Sequence, residues 1–405
     1  MRSTRRRSWG PWPIVVALVV ALLIGVWFGG HPSWLPSGLR DTFVSKTADE
    51  RQVQDVLDLI SKDYYRRVDT QSLLNTGLEG AVASLDDPYS HYYPPALYRS
   101  FQYETNPQVA GIGVEVNPQP VDGGIEIEEV FDGSPAAKAG LAHGDVITAV
   151  GSTSLAGRSV AYGSRLIKGT PGTAVRLEVV RAGRRRRLRI VRADYTVPVT
   201  SSKLIVHNGV RIGYLQFTQF TQGSAKQLRA QVRRVLRAGA QALILDLRNN
   251  GGGLLAQAVG VANLFIPDGT IVTTRGREQP TTVYTAEPGQ AIATKVPMVV
   301  LVDRDTASSA EIVTAALQQR GRAKVVGTRT YGKGVFQQIQ PVPGGGALDI
   351  TVGEYYTPNG DNLGGGGARR GPGIKPNVYV SDNPDDPGTH ALAVAERVVS
   401  AQVPR

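Results

Sequence analysis

Two residues that could do chemistry together stand 25 positions apart, Ser308 and Lys333. An apolar run of strand length, Met298–Val302, ends in a polar turn at 303–306, and a helical pattern opens at Ala307. Ile312, Ala315, Ala316 and Leu317 give that helix an apolar side. Ser308 therefore sits at a strand-to-helix corner, where first-turn N–H groups have no partner within the helix. Lys333 stands between Gly332 and Gly334. A serine hydroxyl is a weak nucleophile until a base takes its proton, and a neutral lysine amine can be that base. A free lysine titrates near ~10.4, so it must be desolvated to serve at neutral pH; lowering it to near 7 costs about 4 kcal/mol. Gly327–Lys333 also fits G-x-x-x-x-G-K, a phosphate-binding pattern. That motif needs Ser or Thr next and a helix after it, whereas Gly334 and a strand-like run follow. The nucleotide reading is set aside.

Taken singly, these residues have plain structural explanations. Ser308 would cap a helix, Lys333 would sit in a surface loop, and Gly251–Gly253 would be a flexible turn. The elements that must position them decide otherwise. Val53, Val56, Leu57 and Ile60 make one helical stripe, and Leu73, Leu74, Leu78 and Val82 another. A turn follows at 85–90 (LDDPYS), where Asp86 and Asp87 beside Pro88 read as turn or capping residues rather than a metal pair. From about 105 to 194 the chain changes to short strands with glycine turns. From 195 to 380 it reads as α/β: strand-like 210–220, a helix at 225–236, a buried strand at 242–247 ending in DLRNNGGG, and a helix at 254–265. The 298–338 stretch and strands to about Tyr356 follow. A last helix spans 389–400.

Composition bounds the function. The 405 residues, 41% apolar and 20% charged, suffice for two or three globular domains. There is no cysteine, which excludes disulfides and thiol chemistry. The five histidines show no metal-ligand spacing, and no metal or cofactor is expected. Net charge is +11. Arg2, Arg5, Arg6 and Arg7 precede an apolar segment, 14–28, barely long enough to span ~30 Å of hydrocarbon. An uncleaved anchor is the preferred reading and a cleaved signal the alternative; both put the bulk of the chain outside the cytoplasm. Arg184–Arg187 lies in a β-hairpin with a basic, solvated edge. No aromatic-basic interleaving points to nucleic acid.

The order GIGV, SPAAKAGLAHGDVITAVG and LIKGTPGTAVRLEVVR resembles a PDZ domain. Gly111, Ile112, Gly113 and Val114 are the peptide-binding loop and strand it implies. Glycines there can turn backbone N–H groups toward a carboxylate, and the strand edge can accept a peptide. DLRNNGGG, VDRDTASSAEI and GTRTYGKGVFQQ, with LDDPYS, IGYLQF and YYTPNG, resemble the carboxyl-terminal processing (tail-specific) protease family over roughly 53–380. The resemblance implies a serine endopeptidase with a serine–lysine dyad. It implies Ser308 as nucleophile, Lys333 as base and Gln337 as the residue positioning the amine. It also implies backbone N–H groups of Gly253 and Ser309 as oxyanion donors. The family's serine-to-lysine gap of 25 selects Ser308 over Ser309. Two departures stand out. Gln319 occupies a position where relatives often carry Asp, and Lys168 replaces an arginine that links the PDZ domain to the catalytic core.

The expectation is thus an α/β (mixed α+β) protease core with an inserted PDZ domain, an N-terminal helical segment and a single transmembrane helix. The divisions are 1–30 basic tail and anchor or signal, 31–46 stalk, 47–104 helical segment, 105–194 PDZ domain, 195–380 catalytic core and 381–405 C-terminal helix and tail. Its partners would be polypeptides with free C-termini and the membrane. Apolar stripes near 53–60 and 389–400, both exposed-looking, leave homo-oligomerisation open. The rival from another class is a non-catalytic PDZ-based adaptor or chaperone that kept the protease fold.

Overall fold

A computed structural model describes residues 48–105, 108–381 and 389–404. The basic tail, the apolar segment 14–28 and the stalk lie outside the described residues; among those described, no helix is long and apolar enough to cross a membrane. Helix α1 (Ala48–Asp63) and most of α2 (Thr70–Ala83) form a unit ending at Gly80, and the chain from Ala81 onward forms a second. Within the first unit the predicted stripe is exposed: Val53 is 58% accessible and Val56 49%.

The second unit begins with strand β1 (His91–Tyr93) and helix α3 (Pro95–Thr105). Strand β2 (Gln108–Gly111) then leads into the glycine-turn module. The module contains β3 (Val114–Val116), β4 (Ile125–Val130), α4 (Pro135–Lys138), β5 (Val146–Val150), β6 (Thr153–Ser154), α5 (Val160–Ile167), β7 (Ala174–Arg181) and β8 (Arg184–Val191). Its sheet runs β3-β4-β5-β7-β8, with β6 on β5. Strand β9 (Ala193–Thr196) pairs antiparallel with β2, so the module leaves and rejoins the chain through one two-stranded ladder. Alternating residues of β4, β5 and β7, among them Ile125, Ile127, Ile147, Val175, Leu177 and Val179, close its core.

The catalytic-type core contains β10 (Thr200–His207), β11 (Val210–Phe217), α6 (Ser224–Arg237), β12 (Ala242–Asp246), α7 (Leu255–Ala262), β13 (Thr270–Arg275), β14 (Thr282–Thr285), β15 (Met298–Val302), α8 (Ser309–Gln319), β16 (Lys324–Gly327), β17 (Val335–Pro341), β18 (Ala347–Tyr356), β19 (Val378–Tyr379) and α9 (Thr389–Ser400). Its main sheet runs β10-β11-β12-β15-β16-β19, parallel except for the β10–β11 pair. Strands β12 and β15 are buried at every position, as their unbroken apolar runs require when both faces are covered. One face packs Leu243, Leu245, Val300 and Val302 against α6, α7 and α8. The other packs Ile244, Val299 and Leu301 against Val394, Ala395 and Val399 of α9. The α9 stripe expected to be exposed is therefore buried, with Ala395 0% accessible. A second sheet, β1-β18-β13-β14 with β17 on β18, lies beside this core.

Candidate active site

Strands β12, β15 and β16 are adjacent and parallel, so their carboxyl ends meet on one edge of the sheet. Such an edge is where open α/β sheets build their sites. The loops leaving those ends carry Gly251–Gly253, Ser308 and Lys333. Asp303 stitches the first two together: its carboxylate accepts the Asn249, Asp305 and Thr306 N–H groups, while burial pushes its pKa up. The Ala307 N–H donates to the Asn250 carbonyl at 3.0 Å.

Ser308 occupies the N-cap of α8 with φ 54° and ψ −119°, a backbone region that residues with a Cβ rarely adopt. A strained conformation of this kind costs about 1–3 kcal/mol and persists only where the surroundings impose it. Glu311, three residues on, imposes it. Its carboxylate is 0% accessible and collects four donors. Oε2 accepts the Ser308 N–H and the Lys333 N–H, both at 2.9 Å; Oε1 accepts the Gly332 N–H at 2.7 Å and the Thr330 hydroxyl at 2.5 Å. One carboxylate oxygen thus holds the backbones of the serine and the lysine together. Burial raises the Glu311 pKa, against those hydrogen bonds.

Lys333 is largely withdrawn from water, and that burial lowers its pKa below the ordinary lysine value; Asp349, Asp87 and Glu311 pull the other way. Its Nζ donates to Gln337 Oε1 at 2.7 Å and lies 4.6 Å from the centre of the Tyr89 ring. No ion pair among the described residues involves it. Gln337 lies on β17 just after a register shift, and its Nε2 donates to Thr351 Oγ1 of β18 at 2.9 Å.

Ser309 is wholly buried, and its hydroxyl donates to the Gly253 carbonyl at 2.7 Å. That engagement occupies the Ser309 hydroxyl. The N–H groups of Gly253 and Ser309 donate to no acceptor among the described residues. Gly252, at φ 100°, permits the approach: a Cβ there would lie 2.9 Å from Ser308 Cβ and from the Ser309 nitrogen. Gly253 pairs with Phe220 in an isolated parallel bridge, which anchors the loop.

In the glycine-turn module, Gly113 takes φ 81°, and a Cβ there would strike Ser134 Cβ at 2.3 Å. Ile112 is buried, and its carbonyl accepts the Ala136 N–H. Gly111 pairs with Ala193 on the connecting ladder, and Val114 begins β3, whose second edge pairs with no strand among the described residues. Lys168 is exposed at the C-cap of α5. Gln319 lies at the far end of α8, 11 residues from Ser308, where it accepts the Asn359 N–H. The acid beside the serine and lysine is Glu311. Sequence reading missed it, although Ser308-Ser309-Ala310-Glu311 has the S-x-x-E spacing of a capping box. Thr351 and the 87–90 turn were likewise not connected to the lysine, because their link is tertiary.

Comparison with known proteins agrees with this architecture. The model for peptidase family S41 matches residues 211–380, a PDZ domain model matches 126–181, and a model described as the activating protease CtpB N-terminal domain matches 39–94. The chain belongs to the S41 family of serine peptidases, among the carboxy-terminal processing proteases. It is 34% identical to the carboxy-terminal processing protease CtpA of Bacillus subtilis, over 90% of this chain and 75% of that protein. It is also 34% identical to the carboxyl-terminal-processing protease of Synechocystis, over 88% of this chain and 85% of that one. A solved photosystem II D1 C-terminal processing protease is 25% identical, covering 89% of this chain and 100% of its own, with a TM-score of 0.49.

Proposed function

We propose that this peptidase works through Ser308 and Lys333 as a serine–lysine dyad and cuts extracytoplasmic polypeptides near their C-termini. The observation that carries the dyad is the half-buried Lys333 amine, bonded to the neutral Gln337 oxygen rather than to a carboxylate. The neutral amine takes the Ser308 Oγ proton as Oγ attacks the scissile carbonyl carbon. The carbonyl oxygen becomes an oxyanion that accepts the free N–H groups of Gly253 and Ser309. The positive end of α8 adds a favourable field there. The Lys333 ammonium then returns its proton to the leaving amine, and the acyl-enzyme remains. A water, deprotonated by Lys333, attacks the ester; the Oγ–C bond breaks, Lys333 returns the proton to Ser308 Oγ, and the product carboxylate leaves.

The PDZ domain holds the substrate's terminal carboxylate at the Gly111–Gly113 loop and adds the preceding residues to the open edge of β3. The names of the relatives, processing proteases of protein C-termini, support this substrate class. Residues 14–28, with the arginines before them, support an anchor that keeps the catalytic part outside the cytoplasm. Lys168 is the residue through which the PDZ domain would couple to the core.

The decisive experiment incubates the purified chain with an unfolded polypeptide and with the same polypeptide plus Ser308→Ala enzyme. Loss of at least ~10³-fold in kcat is expected for the variant. Equal cleavage by both proteins would refute the dyad and favour a non-catalytic PDZ adaptor.

A further inference from the structure

The 85–90 turn has a role that neither the family match nor the dyad assigns. Strand β1 pairs with β18 through His91↔Asp349 to Tyr93↔Ala347, and this lays the preceding turn against Thr351. Asp87 accepts the Tyr89 N–H at 2.9 Å and the Ser90 hydroxyl at 2.6 Å. Ser90 Oγ in turn accepts the Thr351 N–H at 3.0 Å and lies 3.5 Å from Thr351 Oγ1. Thr351 Oγ1 accepts Gln337 Nε2, and Gln337 Oε1 accepts Lys333 Nζ. An unbroken chain of polar contacts thus runs from a carboxylate to the amine of the base.

We propose that Asp87, Ser90 and Thr351 are positioning residues that set the direction of this chain and so hold the Gln337 amide with its oxygen toward Lys333. The proposal rests on the serine–lysine reading above. Its physical basis is that the two ends of an amide are nearly the same shape, so only its partners decide which way it points. An ionised carboxylate can only accept. Burial resists ionisation of Asp87, but hydrogen bonds from the Ser90 and Thr351 hydroxyls and the Tyr89 N–H outweigh it and hold the carboxyl below its ordinary range. With an acceptor at the end, the Ser90 and Thr351 protons are drawn toward Asp87. A lone pair of Thr351 Oγ1 is then left for the Gln337 NH₂, and the amide oxygen must face the lysine.

The consequence for the base is specific. A neutral amine has two N–H bonds and one lone pair. One N–H goes to Gln337 Oε1, the nitrogen lies 4.6 Å from the centre of the Tyr89 ring, and on the serine–lysine reading the lone pair serves the Ser308 hydroxyl. A flipped amide would donate its own N–H to that lone pair and block the base.

The test uses the full chain and a peptide substrate, with kcat and KM followed from pH 6 to 10. Thr351→Val keeps the shape and removes the hydroxyl; it should lose about 10-fold or more in kcat with KM changed less than ~2-fold. Thr351→Ser restores the hydroxyl and should return to within ~3-fold of wild type. The groups facing Lys333 are Asp87 from the turn, Glu311 from α8 and Asp349 from β18, with His91 opposite Asp349 and Tyr89 over the amine. Asp87→Asn removes a charge that favours the ammonium, so it should lower the plateau and move the acid limb to lower pH. Wild-type kcat in Thr351→Val, or a Thr351→Ser variant as impaired as Thr351→Val, would overturn the proposal. Should Thr351→Val fail to fold, Ser90→Ala is read the same way, reduced kcat at constant KM supporting the relay and wild-type kcat overturning it. Ser308→Ala is the separate control: if it cleaves like wild type, the dyad itself falls, whereas a dead Ser308→Ala beside a fully active Thr351→Val sinks only the relay.

Discussion

On the proposed serine–lysine reading, Lys333 trades stability against activity at the scale of single residues. Burial depresses its pKa in the folded chain, so the unfolded chain binds the proton more tightly. The resulting stability cost is present in full below the depressed value and is relieved as pH rises through the ordinary lysine range. Two outcomes follow. Turnover should climb with pH through the Lys333 value, and a pH–rate profile flat from 6 to 10 would exclude lysine as the base. Lys333→Met should lose ~10²–10⁴-fold in kcat, yet melt at a higher temperature than wild type near neutral pH. Gly252 is the second telling residue. Gly252→Ala forces a Cβ to 2.9 Å from the Ala307 carbonyl and Ser308 Cβ at φ 100°. It should cost about 1–3 kcal/mol in denaturant titration, and it should lower kcat because the Ser309 N–H is displaced.

Elements explain why these residues meet. Three parallel strands end together and deliver the glycine loop, the serine corner and the lysine loop to one edge. A different sheet, β17 on β18, delivers Gln337 and Thr351 from the side. The strand-like run after Lys333 told against a nucleotide loop, and β17 does follow it. The Gln337 that the family resemblance places beside the amine does accept it at 2.7 Å. Spacing alone did not reveal the register shift between Phe336 and Gln337, because a bulge depends on the partner strand. In the PDZ domain, the open edge of β3 and the Gly113 turn make a concrete prediction. A peptide with a free C-terminal carboxylate should bind about 10–100-fold more tightly than its amidated form, since charge-assisted hydrogen bonds are lost. Equal affinities by calorimetry would count against carboxylate capture.

For the whole molecule, the C-terminal helix is part of the core rather than an appendage. Its stripe looked exposed in sequence because amphipathicity does not say what a face meets. The sheet's second face, Ile244, Val299 and Leu301, supplies the partner for Val394, Ala395 and Val399. Val399→Ala should therefore cost about 2 kcal/mol, and Ala395→Asp should cost more by burying an unpaired charge. Chemical denaturation measures both, and a shift under ~0.5 kcal/mol for either would show the helix to be loosely docked. The stripe of α1 is the contrasting case, exposed in the described unit as the sequence suggested.

By itself the sequence determined the class of chemistry and proposed Ser308 over Ser309. Those rest on residue identity and spacing, which a motif preserves whatever surrounds it. Periodicity also located the strands and helices, since hydrophobic repeat and secondary structure share one period. Only the tertiary structure decided what holds Ser308 and Lys333. Glu311 binds the backbones of Ser308 and Lys333 through one oxygen, and Ser90 of the 87–90 turn reaches Thr351, the partner of Gln337, across 261 residues of chain. No local pattern encodes such contacts, because strand pairing between distant segments creates them.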